Sequence, residues 1–144
     1  LIAIGIGLHN FAEGLAIGQS AASGAIALST VLVVGFGLHN ATEGFGISAP
    51  MAAATERPSW RYLLALGLIG GAPTVLGAAL GGSFSSEIAS VAFLSLAAGS
   101  ILYVVIQLVA VGLRQARPML MATGIFAGLS VGFITDLVLV AAGA

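Results

Sequence analysis

The sequence predicts an all-α, polytopic transmembrane helix bundle, and three observations carry that prediction. Of the 144 residues, 59% are hydrophobic and only 6% are charged, too few charges to cover the surface of a soluble domain. Apolar runs of about 20 residues recur, long enough to cross a hydrocarbon core of roughly 30 Å. Strand-like alternation of apolar and polar residues is missing, which argues against a lipid-embedded barrel.

Five spans follow in order. The first, residues 1–20, ends where Ser20-Ala21-Ala22-Ser23-Gly24 supplies turn chemistry. The second, 26–49, stops at a stretch bounded by Pro50 and Pro58. The third, 60–82, is crowded with Gly67, Gly70, Gly71 and Gly77 and closes on Gly81-Gly82-Ser83. Glu87 opens the fourth, 87–113, where a carboxylate favours a helix N-terminus. Gln107 interrupts its apolar run and is expected to face protein or water. The fifth, 119–143, follows Pro118 and carries Asp136 toward its far end, expected in a water-filled crevice or against a polar partner. All four links are short, so consecutive helices are expected to be antiparallel neighbours. Residues 1–144 read as a single transmembrane domain. Because Leu1 stands inside an apolar run with no signal peptide visible, preceding spans of a longer protein are expected.

The basic residues orient the bundle. Arg57 and Arg61 flank the second link, and Arg114 and Arg117 form the fourth. With five spans these links share a side, which the positive-inside rule places in the cytoplasm, leaving the C-terminus outside. A net charge of −1 gives no case for nucleic acid as a partner. With no cysteine, disulfides, thiolate metal sites and thiol catalysis are excluded.

One six-residue pattern occurs twice inside this apolar sequence: His9-Asn10-Phe11-Ala12-Glu13-Gly14 and His39-Asn40-Ala41-Thr42-Glu43-Gly44. The match extends to Gly5/Gly35, Gly7/Gly37, Leu8/Leu38 and Ile17/Ile47. Adjacent spans run in opposite directions, so the copies are related by inversion, with both motifs about 15 Å from the nearer helix ends. A His and a Glu four positions apart share one helix face. Facing one another, the two helices would present His9, Glu13, His39 and Glu43 to one point, a donor set for zinc, iron(II), manganese or a similar ion. Magnesium and calcium prefer all-oxygen sites, and copper(I) prefers sulfur. The alternatives are buried hydrogen-bonded pairs that join helices, or a proton relay. Asn10 and Asn40 are either donors to a neighbouring oxygen-rich site or hydrogen-bonding glue between helices. Gly14 and Gly44 allow helix irregularity or close contact, and the glycines near the motifs lead us to expect close packing of the two motif helices. Gln19, Ser20 and Ser48 either line an ion path or cap helix ends.

Through His9-Asn10-x-x-Glu13-Gly14, His39-Asn40-x-x-Glu43-Gly44 and Gly99-Ser100-Ile101-Leu102-Tyr103-Val104-Val105, the chain resembles the ZIP (Zrt-, Irt-like protein) family of divalent metal transporters, in its bacterial branch. The resemblance covers essentially the whole chain and implies spans four to eight of an eight-span protein. It implies that His9, Glu13, His39 and Glu43 form the main transport site, with Glu43 bridging to a second site that Asn10 and Asn40 help build. It further implies metal uptake toward the cytoplasm by a homodimer in a bacterial or archaeal cell membrane, with membrane lipid and the metal as partners. The metal, zinc first among candidates, is then a transported substrate and not a catalytic cofactor. Three departures stand out. Ala12 and Thr42 replace the family's proline. Ala72 precedes Pro73 where relatives often carry Glu, and Gln107 stands where an acidic residue is common. The main site is therefore complete and the second depleted, which points to a single-metal transporter; with no general base visible beyond the ligands and no nucleophile motif, the chain is read as not an enzyme. The rival reading is a membrane metalloenzyme in which the same His/Glu metal activates water.

Overall fold

The computed structural model describes residues 1–52, 55–83, 87–115 and 117–141. The side chains of Glu87 and Asp136, to which the sequence suggested roles, lie outside the described residues. Five α-helices follow: α1 (Ile2–Ala22), α2 (Ile26–Ser48), α3 (Trp60–Gly81), α4 (Glu87–Arg114) and α5 (Pro118–Ala141). A single 3₁₀ turn, Ala49–Met51, continues α2 through Pro50. The chain turns out of α1 at Gly24, whose φ of +81° is a backbone state that glycine adopts without steric cost. Ser59 caps α3 by accepting a 3.3 Å hydrogen bond from the Tyr62 backbone N–H.

Helices α2 to α5 are each long and apolar enough to cross a membrane. At 21 residues α1 has spanning length too, but His9, Asn10, Glu13 and Gln19 dilute its apolar character. Its position explains how it tolerates them. Nine of its 21 residues are buried, whereas only Ser29 and Gly35 are buried in the 23 residues of α2. The least apolar helix is the one most enclosed by the others, so lipid need not solvate its polar groups.

Glycine is what lets α1 into that position. Gly7, Gly14 and Gly18 on α1 repeat the spacing of Gly70, Gly77 and Gly81 on α3. The two helices run parallel with these stripes in mutual contact: a Cβ at Gly14 would collide with the Thr74 carbonyl, and one at Gly18 with the Ala78 carbonyl. Reciprocally, a Cβ at Gly77 would strike the Phe11 carbonyl and one at Gly81 the Leu15 carbonyl. This is backbone-to-backbone packing of the small-residue kind, at distances where Cα–H groups meet carbonyl oxygens. The sequence led us to expect the motif glycines at the α1–α2 contact. Instead Gly7 and Gly14 pack on α3, while their repeat partners Gly37 and Gly44 have no atom within 4 Å of where a Cβ would sit.

The α4 helix packs antiparallel on another side of α1. Gly5 lies beneath Val104, where a Cβ would come within 2.8 Å of that side chain, and Phe11 meets Phe93 edge-on with ring centroids 5.4 Å apart. Consecutive helices are therefore not always neighbours: among the described residues α3 and α4 scarcely touch, because each uses its contact face on α1. The α5 helix touches little beyond α4, where Met121 packs on Gly112. Since α3 runs parallel to α1 while α2 and α4 run antiparallel to it, the α2–α3 and α4–α5 links lie at one end of the bundle and gather Arg57, Arg61, Arg114 and Arg117 there, as the link pattern predicts.

The contrast between contacted and open glycines is testable on one helix. Gly77→Ala is expected to lower the thermal midpoint of the detergent-solubilised chain, at a cost of about 1–3 kcal/mol, because the obstructing Phe11 carbonyl cannot swing aside. Gly67→Ala, with open space around it, is expected to leave the midpoint unchanged or raise it through better helix propensity. Equal effects of the two substitutions, followed by a melting assay, would remove the seam from the account.

Candidate metal centre

The helical repeat puts His9 and Glu13 on one face of α1, and His39 and Glu43 on one face of α2. In the folded chain the two faces look at each other. The His9 and His39 rings lie 6.0 Å apart between centroids and are inclined at 46°. Antiparallel packing makes this possible: Ser29 Oγ donates a 3.3 Å hydrogen bond to the Ile17 carbonyl, fixing a register that brings the two histidines level.

Each histidine is close to its own glutamate. His9 Nε2 stands 3.4 Å from Glu13 Oε1, and His39 Nε2 stands 3.5 Å from Glu43 Oε1. Across the helices, His9, His39 and Glu43 each offer a donor atom, and all these atoms lie within 4.8 Å of one another. Donors of a closed tetrahedral zinc shell stand about 3.4 Å apart, as follows from metal–ligand distances of about 2.1 Å. The group is thus somewhat wider than a closed shell, and side-chain rotations of an ångström or so would contract it.

Glu13 stands outside this mutual set, although the sequence brought it to the same point. In an antiparallel pair each Glu lies one turn beyond its His, in opposite directions along the bundle. Glu43 reaches back across to His9, whereas Glu13 remains beside His9 on its own helix.

The carboxylates are buried to an extent that calls for a counter-charge. Glu13 and Glu43 side chains retain 9% and 8% of their exposure, while His39 keeps 49%. Glu13 Oε2 and both Glu43 oxygens are buried without a hydrogen-bond donor among the described residues, as is His9 Nδ1 without a partner. Burying ionised carboxylates this way costs several kcal/mol unless a cation or donors satisfy them. A divalent ion would do so for both carboxylates at once.

Asn10 takes a different direction from its neighbour. It is 1% exposed, faces α3, and donates from Nδ2 to the Gly70 carbonyl at 3.0 Å. Its amide nitrogen therefore joins helices, while its Oδ1, like that of Asn40, is buried without a partner among the described residues. Ser20 and Ser48 hydroxyls donate to Ala16 and Gly44 carbonyls one turn back, at 2.8 and 2.9 Å, so both are engaged within their own helices. Thr74, which the sequence pattern did not single out, also has a buried Oγ1 without a partner among the described residues. Its position directly after Pro73, inside an apolar helix, was the available signal.

A family model described as ZIP zinc transporter matches residues 1–134. No curated protein and no solved structure gives a match. The matched stretch takes in both His-Asn-x-x-Glu-Gly copies, the whole of α1 to α4 and most of α5. The chain belongs to the ZIP zinc transporter family, and so to a family of divalent-metal transporters embedded in membranes.

Proposed function

We propose that this chain carries a divalent transition-metal ion, zinc foremost, across a bacterial or archaeal cell membrane into the cytoplasm, with His9, His39 and Glu43 as the first ligands. The observation that carries this reading is the convergence of those three donors from two inverted helices onto one spot, beside buried carboxylate oxygens that have no hydrogen-bond donor among the described residues. Family membership supports the substrate class. Neutral imidazole with carboxylate is a donor mixture that suits zinc, iron(II) and manganese, and the lack of cysteine disfavours copper(I).

Each residue then has a distinct task. His39, half exposed, is the donor an arriving ion meets first, and the enclosed His9 and Glu43 complete its capture. Glu13 adds a fourth ligand once it turns from His9. The Asn10 and Asn40 carbonyl oxygens offer a further oxygen-rich step, with Asn10 already held in place by Gly70. Ala72 and Gln107 add no carboxylate, which supports one bound ion and not two. The arginine-bearing end is cytoplasmic and the C-terminus external by the positive-inside rule, and the working unit is a homodimer.

Zinc uptake into liposomes holding the protein tests the assignment. Glu43→Ala and His39→Ala are each expected to reduce flux more than about tenfold, since loss of even an outer-shell partner typically costs ten- to a hundredfold. Flux equal to that of the unaltered protein in both variants would mean the ion passes elsewhere.

Imidazole and carboxylate donors bind metal only when deprotonated, so protons and zinc compete. Zinc affinity of the solubilised protein, followed by equilibrium dialysis, is expected to fall several-fold between pH 7.5 and pH 5.5. An affinity that stays level or rises on acidification would contradict direct ligation by His9 and His39.

A further inference from the structure

The arginine end of the bundle carries a second recognition chemistry, remote from the His–Glu group. All four basic side chains of the chain are there: Arg57 and Arg61 on either side of the start of α3, Arg114 closing α4, and Arg117 just before α5. The backbone of Glu87, at the start of α4, lies at the opposite end. All four arginines are exposed, and none of their guanidinium groups makes a hydrogen bond or ion pair among the described residues. The neighbouring Glu56 is exposed and likewise makes no ion pair among them. Among the described residues no acidic side chain neutralises these four cations.

Trp60 lies between two of them, as the first residue of α3, and is 86% exposed. Tyr62 follows at 52%. Rings with an apolar body and a polar N–H or O–H settle at the headgroup level of a bilayer. A guanidinium presents a planar fork of donors that matches a phosphate in bidentate fashion.

We propose that this end binds anionic phospholipid headgroups, with Arg57 and Arg61 holding the phosphate beside Trp60 and with Arg114 and Arg117 extending the same attraction to the α4–α5 link. The lipid's acyl chains continue along the apolar flank of α3, where Leu64 and Leu68 are exposed. Each arginine near an anionic surface contributes roughly 1 kcal/mol, about fivefold in lipid preference.

Trp60 is the only tryptophan of the chain, which makes its fluorescence a reporter for this spot alone. The test places the full chain in phosphatidylcholine nanodiscs doped with brominated phosphatidylglycerol or, at equal mole fraction, with brominated phosphatidylcholine. Stronger quenching of Trp60 by the brominated phosphatidylglycerol is expected. R57Q/R61Q is expected to lose most of that preference, and R57K/R61K to retain part of it because the charges remain. Both pairs are exposed, so unchanged helicity by circular dichroism will accompany the result. Equal quenching by the two lipids, or a preference undiminished in R57Q/R61Q, would overturn the proposal. Abolition of the preference by millimolar inorganic phosphate would overturn it as well, by showing a site for free phosphate and not for lipid.

Discussion

The contact of α1 with α3 through bare backbone is the constraint on which the rest of the molecule depends. In lipid no hydrophobic force drives helices together, so a polar helix is held inside a bundle by close packing and by hydrogen bonds. The glycine stripes supply the first, and the Asn10 amide supplies the second by donating to the Gly70 carbonyl. Pro73 deepens the fit. It lacks an N–H, so the Ile69 carbonyl one turn earlier has no intrahelical donor. Gly7 is the α1 residue that closes over that same carbonyl. With α1 fixed this way on one side and backed by α4 on another, its His9–Glu13 face is left to α2.

The His–Glu group inherits an asymmetry from that arrangement. His9 belongs to a helix enclosed on several sides, whereas His39 and Glu43 belong to a helix with few buried residues. With donor atoms spread over up to 4.8 Å between these two settings, side-chain rotation would bring them to metal-ligand spacing without rearranging the packed seam. Carboxylate oxygens buried without donors among the described residues would favour a positive charge there, and imidazole donors would narrow the choice among cations, as the proposed function requires.

Much of this was readable from the chain itself. The five helices begin and end within two residues of the expected spans, because Gly24, Pro58-Ser59, Gly81-Gly82 and Pro118 are local signals that act whatever the tertiary context. The arginines predicted that the second and fourth links share one end of the bundle, since alternating spans place these two links together. Helix partnership was harder. The common spacing of Gly7-Gly14-Gly18 and Gly70-Gly77-Gly81 was present in the letters, but a repeat between the first two spans drew the glycines toward α2. Which surface a glycine serves depends on helix rotation, and periodicity alone does not fix that. The same limit explains the place of Glu13 and the burial of the Thr74 hydroxyl, both set by the register between helices and not by spacing within one.

Two nearly identical hexapeptides thus live under different rules. In the first copy, Gly14 is hemmed in by the main chain of α3, so any side chain there is resisted by steric volume, whatever its chemistry. In the second, Gly44 looks onto open space, so no packing contact restrains it, and only the role proposed for the neighbouring Glu43 would. Sequence drift is therefore expected to erode the repeat unevenly: the α1 copy keeps its small residues while the α2 copy accumulates larger ones, until the kinship of the two halves survives mainly in their histidines and glutamates.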